Sequence, residues 1–177
     1  MKRSTALPIW YRLDSADRIA EVSAEWDAVA DGHGAPGARA ANVVGRRIME
    51  FLSGDPARMF VSAAVQSARV FRRPVTLPYR CDSDSERRRF EMSLHPVDDG
   101  GVRVEHQLVS VEPRPTVVAT TGGWRCSQCL RVRRPGSTMW EETGAPPRFV
   151  ALDVCPDCAG RLFEELGAYA GRGRSND

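Results

Sequence analysis

Of the five cysteines in this chain, four are spaced for shared chemistry. Cys126-Ser127-Gln128-Cys129 and Cys155-Pro156-Asp157-Cys158 form the pattern C-x2-C-x25-C-x2-C. Two residues between cysteines let both sulfurs of a tight knuckle reach one ion, and two knuckles complete a tetrahedron. The spacing therefore predicts a metal site with Cys126, Cys129, Cys155 and Cys158 as ligands. Zn²⁺ is the expected ion, because four thiolates fill its shell and leave no open catalytic position. Iron is the alternative, since four-sulfur geometry does not separate the two metals. A cysteine-based redox protein is a third reading, because C-x-x-C motifs lower thiol pKa, although thioredoxin-like chemistry uses one such motif. A c-type haem is excluded by Leu130 and Ala159, which stand where the histidine of C-x-x-C-H would be.

The elements that must hold these sulfurs can be read around them. The second pair opens a segment with helical spacing, Ala159 to Leu166, with Leu162, Phe163 and Leu166 expected on one side. Thiolates at a helix N-terminus gain from free backbone N–H groups and the helix dipole. The first pair leads into Arg131-Val132-Arg133-Arg134-Pro135-Gly136, which reads as a turn. Knuckle, hairpin and a helix carrying the last two ligands resembles a treble-clef zinc site. A module this small has too thin a core to fold alone, so the metal would hold it.

The first 113 residues carry a different pattern. Ile9 to Leu13 and Arg18 to Val22 are expected as strands around an Asp14–Asp17 turn. Ser23 is expected to cap a short helix through Trp26 and Val29, and Val43 to Leu52 to form a second helix. Asp55-Pro56 reads as a helix start, with an N-cap carboxylate followed by proline. The helix it opens would place Phe60, Ala64, Ser67 and Phe71 on one stripe. Alternation then predicts three strands, through Val75, Leu77, Tyr79 and Cys81, through Phe90, Met92 and Leu94, and over Val102 to Val109 after an Asp98–Gly101 turn. Two strands, several helices and three strands suit an α+β fold, an antiparallel sheet with helices on one face.

That order resembles the PAS domain. Local segments are similar to a bacterial subfamily of small PAS proteins: Trp26-Asp27-Ala28-Val29-Ala30, Val44-Gly45-Arg46, Phe51-Leu52-Ser53-Gly54-Asp55, Pro78-Tyr79-Arg80-Cys81-Asp82-Ser83 and Arg88-Arg89-Phe90. The cysteine segment with Trp140-Glu141-Glu142 looks like a short module that follows PAS domains in some bacterial signalling proteins. The resemblance implies a PAS-like five-stranded sensory domain over 1–113, a linker over 114–123, a four-cysteine zinc module over 124–170 and a disordered tail over 171–177. It also implies a sensing or protein-interaction role; the flavin-cysteine motif of light-sensing relatives is not visible.

The resemblance further implies a ligand cavity on the sheet face that meets the helices. Tyr79, Cys81 and His106 are the candidate cavity residues, Cys81 as a small buried hydrophobe or a redox-sensing thiol, and His106 as a core residue or a sensing or haem-ligating group. His33 and His95 are expected at the surface. Arg131, Arg133 and Arg134 are candidate phosphate contacts on the metal module, and Arg87-Arg88-Arg89 is expected to be a salt-bridged face.

Composition limits the partners. In 177 residues, Lys+Arg 25 against Asp+Glu 23 leaves a net charge of +2, too balanced for a polyanion binder that acts by bulk charge. Lys2 is the single lysine, so arginine supplies nearly all the positive charge. No stretch approaches the roughly 20 apolar residues of a membrane span, and no signal-peptide core follows Lys2-Arg3. The expectation is a cytoplasmic, non-enzymatic signal-transduction protein with an unidentified protein partner, and with a homodimer as its candidate assembly. No phosphoacceptor box, nucleotide loop or helix-turn-helix pattern is visible, and the length leaves no room for an output enzyme. A nucleic-acid-binding regulator is the rival reading.

Overall fold

Alternating apolar residues and short turns build a mixed α+β structure around a five-stranded antiparallel sheet. The computed structural model describes residues 8–83, 85–114, 122–143 and 150–170. The tail and residues 115–121 of the expected linker lie outside the described residues. The strands are β1 (Ile9–Leu13), β2 (Ile19–Val22), β3 (Val75–Arg80), β4 (Glu86–Pro96) and β5 (Val102–Pro113), in the order β2-β1-β5-β4-β3. The register aligns Leu77 with Met92, Met92 with His106, and Leu94 with Val104 and Val75. One face therefore carries Leu13, Val75, Leu77, Met92, Leu94, Val102 and Val104, all buried. Helices α1 (Trp26–Gly32), α2 (Ala40–Val43) and α3 (Asp55–Phe71) lie between β2 and β3 in sequence. α3 crosses β3, β4 and β5 and buries Phe60, Val61, Ala64, Val65, Ser67 and Ala68 against that face.

Four local expectations are corrected. The helix expected over Val43–Leu52 is broken into α2 and a 3-10 turn at Ile48–Phe51. The cause is Gly45 at φ +84, where the chain turns to exchange bonds with Ile19: Gly45 N–H donates to Ile19 O at 2.7 Å, and Ile19 N–H to Arg46 O at 2.9 Å. Ser23 does not cap α1 with its side chain; its buried hydroxyl is unpaired, and its carbonyl accepts the Trp26 N–H. Asp55 lies inside α3 rather than capping it, because Gly54 at φ +80 takes the cap position. A Cβ on Gly54 would meet Leu152 Cδ1 at 2.5 Å, so glycine there admits the second unit of the structure. Phe71, at the last residue of α3, is exposed.

That second unit is a small sheet in the order β7-β6-β8, from β6 (Trp124–Cys126), β7 (Val132–Arg133) and β8 (Ala151–Asp153), followed by α4 (Pro156–Ala170). β6 pairs antiparallel with β7 and parallel with β8. It docks on the free edge of β3, where Arg80 N–H donates to Gln128 O at 2.7 Å. An edge strand covered in this way presents fewer unpaired groups to solvent. Leu162 of α4 is buried in the core of the main sheet, and Val154 packs against both that core and the cysteine cluster. Phe163 is exposed, since a residue one step along a helix is rotated about 100° from its neighbour. The side chain of Leu166 lies outside those described.

Candidate metal centre

The Sγ atoms of Cys126, Cys129, Cys155 and Cys158 all lie within 4.8 Å of one another. Cys129 and Cys155 Sγ are 3.7 Å apart. A tetrahedral ion with metal–sulfur bonds near 2.3 Å sets its sulfurs about 3.8 Å apart, so the spacing fits a tetrathiolate metal. Local backbone geometry builds each knuckle. Cys126 N–H donates to Arg131 O at 2.8 Å, Leu130 N–H to Cys126 O at 3.1 Å, and Leu130 sits at φ +59 to close the turn. Cys155 directly precedes Pro156, the first residue of α4, and Cys158 lies in its first turn. Cys126, Cys155 and Cys158 are buried, while Cys129 is half-buried.

The sulfurs are surrounded by donors. Backbone N–H groups of Gln128 and Cys155 each approach Cys126 Sγ at 3.4 Å. Arg131 places Nε 3.3 Å from Cys129 Sγ and Nη2 3.4 Å from Cys155 Sγ, and the same Nη2 donates to the Asp157 carboxylate. Hydrogen bonding to Cys129 pushes the Cys126 thiol up to about 11. Hydrogen bonds with Cys126 and Cys129 likewise raise Cys158, and those from Cys126 and Cys158, then Arg131, hold Cys129 low. The opposed directions at Cys126, Cys129 and Cys158 mean that these neighbouring thiols do not ionise together unless a cation sits among them. With a divalent ion the cluster would carry a net charge of about −2, which the Arg131 guanidinium partly offsets.

The arginines expected as phosphate contacts have partners within the module. Arg131 lies on the sulfurs, Arg133 stacks over the Trp124 ring at 4.0 Å from its centroid, and Arg134 pairs with Glu141 at 3.6 Å. The Arg131–Asp157 pair was missed in the sequence, although its positions, two residues after one cysteine and between two others, were the available signal. Also missed was Glu142, which meets Arg87 at 2.8 Å and Arg89 at 3.7 Å and so ties the module to β4.

The three residues expected to line a sensory cavity separate. Tyr79 and His106 come together, with the Tyr79 hydroxyl 2.9 Å from His106 Nδ1. Tyr11 and Tyr79 rings both lie 5.6 Å from the His106 ring. Cys81 is exposed, not on the inner face, because β3 ends at Arg80. Beyond it Asp82 captures the chain by accepting the Arg88 N–H and pairing with the Arg80 guanidinium. A cavity of about 550 Å³ lies between this end of the sheet and the metal centre, bordered by Tyr79, Phe90, Arg89, Arg131, Trp140 and Arg161. His106 and Cys81 are not among its lining residues.

Burial lowers His106 to about 4, so the ring is neutral at pH 7, and burial raises the Tyr79 hydroxyl so that it keeps its proton to donate. The unfolded chain binds a proton at His106 near pH 6.5 and the folded chain does not. Stability from this group is therefore complete above pH 6.5 and is lost as pH falls toward 4, by about 3 kcal/mol in all. Denaturant melts between pH 7 and 4 are expected to show this slope in the wild type and its absence in His106→Gln; parallel slopes would refute it.

No family model matches the chain, and no curated protein matches it. Among solved structures, the crystal structure of a domain of an HTR-like protein from Haloarcula marismortui ATCC 43049 is similar at a TM-score of 0.45 and 14% identity. The match covers 58% of this chain and 98% of that one. Among the described residues, no helix is long and apolar enough to cross a membrane.

Proposed function

We propose that this chain is a non-enzymatic PAS-type sensory protein that relays a ligand or redox signal to a protein partner through a treble-clef-like zinc module. The observation that carries the reading is the joint between sheet and metal centre. Tyr79, hydrogen-bonded to His106, is followed in β3 by Arg80, whose N–H is bonded to Gln128 inside the first knuckle. A change in the Tyr79–His106 pair is thus one residue away from the backbone of the metal module. The antiparallel sheet with α3 on one face supports the sensory part, and the four gathered sulfurs support the structural metal. Cys126, Cys129, Cys155 and Cys158 would hold the ion, which would supply folding energy rather than reactivity. The protein would act in the cytoplasm of a bacterium, with a homodimer as its candidate assembly.

Two measurements test it. Protein purified without added metal is expected to carry one zinc per chain by elemental analysis and no visible absorption band; an iron band or absence of metal overturns the zinc assignment. Tyr79→Phe is expected to speed hydrogen exchange over residues 124–133. Exchange identical to wild type overturns the relay.

A further inference from the structure

Among the described residues, Arg131 is the side chain other than the cysteines that donates to the gathered sulfurs, and it reaches both knuckles. Its backbone belongs to the first. Arg131 O accepts the Cys126 N–H at 2.8 Å, just past the turn that Leu130 closes at φ +59. From there the guanidinium spans to the second knuckle. Nε lies 3.3 Å from Cys129 Sγ, and Nη2 lies 3.4 Å from Cys155 Sγ. Nη2 also donates to Asp157, which stands between Cys155 and Cys158 in the chain. One side chain thus touches a sulfur from each pair and a carboxylate inside the second pair.

Backbone groups cannot do the same. The Gln128 and Cys155 N–H groups approach Cys126 Sγ at 3.4 Å, and any residue but proline would supply them at those positions. Arg131 adds a full positive charge and several donors in a rigid fork. Its side chain is only 23% exposed, so its bonds to the sulfurs are made through little water. Asp157 is 62% exposed, so water screens its charge while its oxygen fixes the direction in which the fork faces. Outer partners of this kind orient metal ligands, and their loss typically costs about 10–100-fold in metal affinity.

We propose that Arg131 is a positioning residue of the metal centre. By donating to one sulfur of each knuckle, it holds the two pairs at the spacing the ion needs and draws charge off their thiolates. The four cysteines bind the ion; Arg131 decides how tightly they keep it. This role rests on the metal reading above, and the two fail in different ways.

The experiment sets the full chain against a chromophoric chelator for Zn²⁺ and records the absorption spectrum of the Co²⁺-loaded chain. Arg131→Met keeps the unbranched stem and removes every donor; it is expected to weaken Zn²⁺ binding by about 10–100-fold. Arg131→Lys is expected to recover only part of that loss, since an ammonium keeps the charge but not the fork. Arg134→Gln loses the same charge from an exposed arginine of the module and is expected to bind like wild type. Hydrogen bonds lower the energy of sulfur lone pairs, so the thiolate-to-cobalt charge-transfer band is expected at longer wavelength in Arg131→Met. A side chain that only packs would not move that band. If Arg131→Met takes up no metal, Arg131→Lys carries both readouts, with weaker binding and a smaller shift expected. Wild-type affinity in Arg131→Met, full recovery by lysine, an equal loss in Arg134→Gln or an unmoved cobalt band overturns the proposal and leaves the metal reading intact. A wild-type chain that binds neither Zn²⁺ nor Co²⁺ overturns both.

Discussion

Cys155→Ser is expected to lose its metal and to lower the melting temperature of the whole chain, not of the module alone. Structural zinc in small modules contributes about 10–16 kcal/mol of apparent folding energy, and a missing thiolate removes most of it. Because β8 and α4 flank Cys155, the module cannot loosen in isolation. Leu162 is 7% exposed in the core shared with α3 and the main sheet, and withdrawing a leucine from such a core costs about 2–5 kcal/mol. That is a large fraction of the roughly 5–15 kcal/mol that keeps a domain folded. Leu152 at Gly54 and Gln128 at Arg80 would be lost with it. Elemental analysis, tryptophan fluorescence from Trp124 and Trp140, and a thermal melt together read the result. Cys81→Ser, at an exposed cysteine outside the cluster, is expected to keep both metal and melting temperature. A metal-free Cys155→Ser chain that melts like wild type would show that the site carries no structural load.

Asp82→Asn is expected to cost about 3–5 kcal/mol, more than any surface charge change in this chain. Arg80 and Asp82 have side chains only 6% and 7% exposed, and Asp82 holds both the guanidinium and the Arg88 N–H. Removing the carboxylate charge leaves a buried guanidinium with only the more distant Glu142, 4.0 Å from its Nη1, as counter-ion, whereas an exposed pair loses little. Arg72–Asp98, fully accessible to water at Asp98, supplies the contrast: Asp98→Asn is expected to stay within about 1 kcal/mol of wild type. Denaturant melts of the two variants, with equal m-values, make the comparison. Equal costs for the two substitutions would mean that the buried pair is not what anchors the end of β3.

The periodic parts of the chain were legible because each side chain is assigned by local geometry alone. Val75 and Leu77, or Phe60 and Ala64, recur at the spacing that turns them to one face, whichever neighbour that face later meets. Departures came where a long-range partner overrode the local pattern. Gly45 leaves the helix to pair with Ile19, and Asp82 pulls Cys81 off the strand that alternation would extend through it. Arginine was read least well: a run such as Arg131-Val132-Arg133-Arg134 looks the same whether it faces solvent, a sulfur cluster or an indole ring.

The sequence by itself determined the four cysteines as one set, the helix that carries two of them, and the alternating strands of the main sheet. Ligand spacing and hydrophobic period are properties of a few consecutive residues, and they survive without knowledge of the rest of the chain. Only the tertiary structure decided what lies between these parts: the seating of Leu162 in the main core and the Arg131 bridge over two sulfurs. Charged side chains are long and find their counter-charges across loop closures, so their partners are set by the packing of units and not by the order of residues.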